Sequence, residues 1–312
     1  MSADENQMSE FRRLLEAFQE ARERDDVKAA ELIAAQCLVF AARKQALNPS
    51  ERLRLVKEAI EHEDAARWEQ AEATRRGVLA LAETEGNQAI ICKDHMDLCN
   101  LFTLSGLPDR AIQEARAAVE AARKSDITVL LATALGDLSR CLLAKGDIAS
   151  AAAAAEEAVQ NTPPEKLHGV QRARALLTRA RCRMEQGQAP EAQCDLDVAW
   201  KLLEPMAEAS IFAGVQGSLA LWWEITARNR TESKDLAGAA EAWGKAVEFR
   251  RAVSQLPQLE GPYKYFSLAK TLHQYSSALS AAGRVQDAVH AFDESRSIHE
   301  KIGTDRDPQQ TP

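Results

Sequence analysis

A glycine, an alanine five residues later and a second small residue seven further on recur four times along this 312-residue chain. The segments are FTLSGLPDRAIQEARAAVEAA (102–122), LLAKGDIASAAAAAEEAVQ (142–160), RMEQGQAPEAQCDLDVAWK (183–201) and LSAAGRVQDAVHAFDESRS (279–297). Gly106, Gly146, Gly187 and Gly283 thus lead to Ala111, Ala151, Ala192 and Ala288, then to Ala118, Ala158, Ala199 and Ser295. Self-similarity at a fixed period means stacked copies of one unit, none of which buries its apolar face alone. Between the glycines, apolar residues recur at three- and four-residue intervals, as in Leu98–Leu101–Phe102 and Leu135–Leu138–Leu142, which predicts helices. No stretch alternates as a strand, and eight of the prolines, from Pro49 to Pro262, sit in or just after turn-like clusters. The expected fold class is all-α.

The pattern resembles the tetratricopeptide repeat, in which helices A and B pack antiparallel, a glycine closes their turn and two small residues of helix B admit a neighbouring helix. The position between those small residues holds Ala115, Ala155, Leu196 and Phe292. Upstream, helix A supplies His95, Leu98 and Phe102 in one copy and Leu135, Leu138 and Leu142 in the next. Weaker copies of helix B are Val27–Ala30–Cys37, Trp68–Ala71–Val78 and Leu236–Ala239–Trp243–Ala246. The resemblance implies a right-handed α-solenoid of about seven repeats, beginning near residues 11, 52, 92, 132, 173, 220 and 269. Their spacing of 40 to 49 residues exceeds the roughly 34 of the basic repeat, so helices or turns must be extended. The solenoid is expected over 11–302, between a disordered N-terminus (1–10) and a disordered tail (303–312).

Five consecutive alanines, 151–155, then have a reason: a helix in mid-array is touched on several faces. Ala151 and Ala155 are expected to be buried. The last helix, Val285–Lys301, is expected to bury one stripe (Val285, Ala288, Val289, Phe292, Ile298) and present a polar face that ends the stack. In the arginine-rich RARALLTRARCR (172–183), Arg179 and Arg183 occupy positions the family gives to core residues. The alternative stripe there runs through Leu176, Leu177, Ala180 and Met184. One of Trp222 and Trp223 should be core and the other is a candidate contact anchor.

A net charge of −8 argues against nucleic-acid or anionic-membrane partners. The acidic MSADENQMSE lacks the apolar region of a signal peptide, and the longest uncharged stretch, Ala209–Trp223, is too short to span a bilayer, so a cytoplasmic location is expected. Cys37, Cys92, Cys99, Cys141, Cys182 and Cys194 form no CxxC pair and are read as small core residues rather than metal ligands or disulfides. No phosphate-binding loop, dinucleotide fingerprint, zinc-helix motif or nucleophile elbow occurs, and the six histidines have no partner of matching spacing. The expectation is therefore no enzyme, no cofactor and no metal.

What remains is a binding surface. The family resemblance implies that the ninth position of helix A points into the concave groove, where successive repeats place Asn100, Arg140, Arg181 and Arg228. Lys93, Arg174 and Lys270, at the second position, should lie near the same wall, with Asp97, Asp137 and Glu224 interspersed. The planar arginine fork suits carboxylates on a protein partner. The alternative is that these arginines pair with carboxylates of adjacent repeats. The Hsp70/Hsp90 co-chaperone subclass is not indicated, since Met96, Asp137 and Thr178 replace three of its five clamp residues. The long repeats and the ending FDESRSIHEKIG (292–303) are more similar to kinesin light chains and their bacterial relatives, which implies an adaptor able to bind tubulin-like filaments. Extended repeats also serve peptide-responsive regulators of transcription and phosphatases, a second expectation for this chain.

Overall fold

The computed structural model describes residues 51–162, 169–207, 213–256 and 259–304, with Arg13, Ala17 and Glu20 alone before them. The expected first repeat, with Cys37, lies outside the described residues. The described chain forms six helical hairpins, and no strand occurs among the described residues. They are α1 (Glu51–Asp64) with α2 (Trp68–Glu85), α3 (Gln88–Leu104) with α4 (Pro108–Lys124), and α5 (Thr128–Lys145) with α6 (Ile148–Gln160). There follow α7 (Gly169–Glu185) with α8 (Ala189–Leu203), α9 (Ala213–Glu232) with α10 (Leu236–Ser254), and α11 (Tyr263–Ala281) with α12 (Val285–Lys301). First helices of 17 to 20 residues from α3 onward account for the long repeat.

The turn glycines do what their spacing demanded. Gly106, Gly146, Gly187 and Gly283 all take positive φ, 69° to 84°. At Gly146 the left-handed residue ends α5 and its N–H returns to the carbonyls of Leu142 and Leu143. Asp147 then opens α6, its carboxylate accepting from Ser150 N at 3.1 Å. Two other hairpins turn without glycine, on Ala66 (φ 52°) and Lys234 (φ 64°).

All eight small positions of the repeat are buried. So are Ala115, Ala155 and Leu196 between them, but Phe292 is 42% exposed. Within the alanine run Ala151, Ala154 and Ala155 are buried, Ala152 is half-buried and Ala153 faces solvent. In α7 the buried stripe is Ala173, Leu176, Leu177, Ala180 and Met184. Arg179 and Arg183 leave that stripe to grip the buried Asp195 of α8 at 2.7 and 2.8 Å. Trp222 stacks on Trp200 at 4.7 Å and donates to the Leu196 carbonyl at 3.0 Å, while Trp223 packs edge-on against it. Both tryptophans are half-buried.

Three expectations need correction. The last helix does not bury one apolar stripe: Val285 and Val289 are 63% and 50% exposed. α12 instead meets α11 through Ala288, Ala291, Ser295 and His299, with Ser295 Oγ donating to the Ala269 carbonyl at 2.8 Å. Small residues set that close approach, and the bulkier ones are turned outward. Cys194 is exposed, although Cys92, Cys99, Cys141 and Cys182 are buried. Finally, the packed chain continues through Gly303 and Thr304, since Thr304 is buried with its Oγ1 2.8 Å from His299 Nδ1.

The array curls back on itself. The first helices α3, α5, α7 and α9 touch in series, and α11 reaches back to α3. There Trp68 and Leu104 of the first two hairpins pack with Tyr263, Tyr265, Phe266, Ile298 and Ile302 of the last. Gly303 lies so close to Ala66 that a Cβ on it would collide with the Ala66 methyl. This clasp joins the last of the first helices to α3 and so closes their row around a shared inner face, the chamber.

Candidate functional site

The chamber is lined by the helices that carry the arginine ladder: Asn100 on α3, Arg140 on α5, Arg181 on α7, Arg228 on α9 and Lys270 on α11. A register of roughly 40 residues brings one position of each hairpin to one wall. The structure brings Arg140, Arg181, Arg228 and Lys270 within each other's electrostatic reach. Lys93 and Arg174 stand at the edge, both exposed.

Most of these cations already have partners. Arg140 donates to Asn100 Oδ1 at 3.2 Å, lies 3.6 Å from Asp137 and places its guanidinium 5.5 Å from the Tyr263 ring centre. Arg174 is 3.6 Å from Asp137, and Arg228 donates to Glu185 at 3.0 Å. Lys93 pairs with Asp97 at 3.0 Å, whose carboxylate also takes Arg75 at 3.1 Å. Apart from Arg75, which is buried on α2, these pairs bridge neighbouring first helices or turns of one helix, and partly exposed pairs of this kind contribute under about 1 kcal/mol each.

Two residues outside the ladder complete the wall. Arg250, near the end of α10, donates to Glu224 Oε1 at 2.8 Å, and Thr271 donates to the same oxygen at 2.9 Å. Burial pushes the Glu224 carboxyl up, but Arg250 and Thr271 outweigh it and hold the group below the usual carboxylate range. Sequence reasoning missed Arg250 because it belongs to a second helix, where no ladder position was expected. It missed Tyr263 because that repeat was expected to begin near residue 269, beyond the tyrosine that opens α11.

Arg181 and Lys270 differ from the rest. Among the described residues neither has a carboxylate partner, and Arg181 Nε is buried with no acceptor. Burial first, then the nearby Arg228, lowers the affinity of Arg181 for its proton. Lys270 remains open to the chamber's solvent, with the Phe266 ring centre 5.7 Å away. Surrounding protein mass, then Arg181 and Arg140, nonetheless bring its pKa down to about 8. Five cations, Arg140, Arg181, Arg228, Arg250 and Lys270, thus meet three carboxylates, Asp137, Glu185 and Glu224. In a chain of net charge −8, this is a local reversal of sign.

Beneath the wall Cys99 and Cys141 lie with their sulfurs 3.4 Å apart, and Cys182 meets Ser139 Oγ at the same distance. Among the described residues no group of His, Cys, Asp and Glu is arranged to hold a metal ion, and no helix is long and apolar enough to cross a membrane. The wall offers hydrogen-bond donors and positive charge, chemistry that binds anions.

No protein-family model matches the sequence, and no curated protein matches it at a significant level. Solved structures do. A Rap protein complexed with competence and sporulation factor is similar over 96% of this chain and 98% of its own, at 11% identity and a TM-score of 0.52. BtubC (BKLC) from P. vanneervenii shares 16% identity over 78% of this chain and 92% of its own, with a TM-score of 0.48. The TPR-like repeats of a putative kinesin light chain from Podosopora anserina share 19% identity over 67% and 95%, with a TM-score of 0.39. In fold, this chain is a tetratricopeptide-like helical-repeat array.

Proposed function

We propose that this chain is a non-enzymatic protein-interaction module that receives an acidic segment of a partner protein in its chamber. The carrying observation is the surplus of positive charge on the inner wall of an otherwise acidic molecule. Arg140, Arg181, Arg228 and Lys270 are the contacts, with Asn100 orienting Arg140 and with Lys93 and Arg174 at the entrance. A closed chamber admits a chain segment rather than the face of a filament, so a tubulin-like partner would have to offer an acidic extension. The absence of charge surplus elsewhere is not required by this reading, and a cytoplasmic site of action is compatible with it.

The test is capture of the partner from a lysate, then affinity measurements on Arg140→Ala, Arg181→Ala and Arg228→Ala. Arg181→Ala should weaken binding by about 2 kcal/mol, a typical hot-spot loss. Binding should also weaken as salt rises, because the exposed part of the contact is screened over about 8 Å at physiological ionic strength. Unchanged affinity in all three variants would contradict the reading.

The clasp favours one further variant of this function. If a segment enters by parting α11–α12 from α1–α4, binding becomes a conformational signal, as a ligand-responsive regulator needs. Hydrogen exchange at α11 and α12 should then change on partner binding, and identical exchange would exclude it.

A further inference from the structure

We propose that Cys99 and Cys141 form a redox-modification site, a thiol pair that a hydroperoxide converts to a reversible disulfide fastening α3 to α5. The inference is independent of what the inner wall binds.

The two residues are 42 positions apart in sequence, on successive first helices, yet their sulfurs lie in contact at 3.4 Å. A disulfide holds its sulfurs at about 2.05 Å, so bonding asks only for side-chain rotation and a small slide of one helix. The next junction supplies a comparison. Between α5 and α7 the same contact, again at 3.4 Å, is made by Ser139 and Cys182, which cannot form a disulfide. The fold therefore accepts serine at such a contact, and packing alone does not call for two cysteines. Cys92 has the Met96 sulfur as its neighbour at 3.9 Å, and Cys194 is exposed on α8. Among the described residues, Cys99 and Cys141 are the thiols found in contact.

Their surroundings assign the roles. The Cys99 S–H, donating to the Cys141 sulfur, outweighs burial and brings the Cys141 thiol down to about 7. The Arg140 guanidinium and the Thr103 hydroxyl act in the same direction, against Asp137. Burial instead pushes Cys92 up to about 12 and raises Cys182 as well. Cys141 is also the member of the pair that keeps some accessible surface, 4% against none for Cys99. It is thus the thiol that a small peroxide oxidises first. The Cys141 thiolate attacks one peroxide oxygen, the S–O bond forms as the O–O bond breaks, and the departing hydroxide takes up the Cys141 proton as water. The Cys99 sulfur then attacks the Cys141 sulfenic sulfur, the S–S bond forms as the S–O bond breaks, and the hydroxyl leaves with the Cys99 proton as a second water. Two thiols are oxidised by two electrons in all, and the peroxide is reduced to two waters.

The experiment exposes the whole chain, reduced beforehand and dilute, to hydrogen peroxide, blocks the remaining thiols with iodoacetamide and maps the peptides without reductant. The expected product is a linked Cys99–Cys141 peptide pair that is lost on treatment with dithiothreitol. Hydrogen exchange in α3 and α5 should be slower in the oxidised protein than in the reduced one. Cys99→Ser, which copies the Ser139–Cys182 contact, should abolish the link and leave Cys141 as a sulfenic acid trapped by dimedone. Cys141→Ser should abolish the link and leave Cys99 reduced, and it keeps the roles testable if Cys99→Ser folds poorly. A link between other cysteines in place of this one would overturn the proposal. So would Cys141 carried to sulfinic acid beside an unreacted Cys99, or both thiols still reduced once the exposed Cys194 is fully oxidised. Unchanged exchange would overturn the fastening of α3 to α5, and undiminished oxidation of Cys99 in Cys141→Ser would overturn the assignment of Cys141 as the attacking thiol.

Discussion

At the scale of single residues, neighbouring side chains of similar chemistry have opposite fates. Ala151 and Ala155 are fully buried between helices, whereas Ala153 in the same run is exposed. Leucine at 151 or 155 would overpack that contact and should destabilise by about 1–3 kcal/mol. Leucine at 153 should change stability by less than about 0.5 kcal/mol, and chemical denaturation of the three variants checks the register. The same contrast separates Arg228, tied to Glu185, from Arg181, tied to nothing among the described residues. Lys270 gives a pH signature. It faces Arg181 from α7, Arg140 from α5, and Arg228 and Glu224 from α9, and the folded protein lowers its pKa from 10.5 to about 8. The folded state releases this proton before the unfolded chain does, so Lys270 makes stability rise with pH between about 8 and 10.5. Lys270→Gln should flatten that rise, and parallel curves for the two proteins would refute the assignment. The ladder was legible in the sequence as four equivalent positions. Which rung is free was not, because that depends on where carboxylates as far as 43 residues away in sequence come to lie.

At the scale of elements, the turn chemistry explains why the hairpins end where they do. Gly283 and Gly303 both take positive φ, 78° and 64°, but open space surrounds the first and Ala66 crowds the second. Alanine at 283 pays only for its backbone conformation, about 1 kcal/mol. Alanine at 303 adds a collision with the first described hairpin, so the excess loss in Gly303→Ala measures the clasp. Equal losses would show that the clasp contributes nothing. The ion cluster on α7 and α8 is another such element: Asp195→Asn removes the buried charge and one of the two acceptor oxygens under Arg179 and Arg183 and should cost about 1–3 kcal/mol. Thermal unfolding of that variant tests it. Helix B was readable because glycine and small residues mark its start and its contact face. The start of α1 was placed within one residue, but from α3 onward the first helices were placed four to seven residues too late, since the extra turn carries no punctuation of its own. The outward turn of Val285, Val289 and Phe292 was hidden for a related reason. Apolar spacing names a stripe, but it does not say whether the large or the small residues of a helix meet the neighbour.

At the scale of the whole molecule, the repeat predicted a concave groove, and in the structure the row of first helices closes on itself where α11 reaches back to α3. Closure depends on the summed rotation of six hairpins and on aromatic contacts between Trp68, Leu104 and the α11–α12 pair. Neither is written in any one repeat. Closure also brings α11, with Lys270, back to α3 and so adds a cation to the row of half-exposed arginines. The central claim is that this charge surplus is kept for a ligand and not for the fold. Arg181→Gln tests it directly, through urea unfolding and affinity for the captured partner measured on the same preparation. The account predicts an unfolding free energy equal to or above that of the wild type, because a half-buried cation whose Nε has no acceptor has been removed, together with a loss of affinity of about tenfold or more. A lower unfolding free energy with unchanged affinity would contradict it, and would make Arg181 a structural tie between repeats.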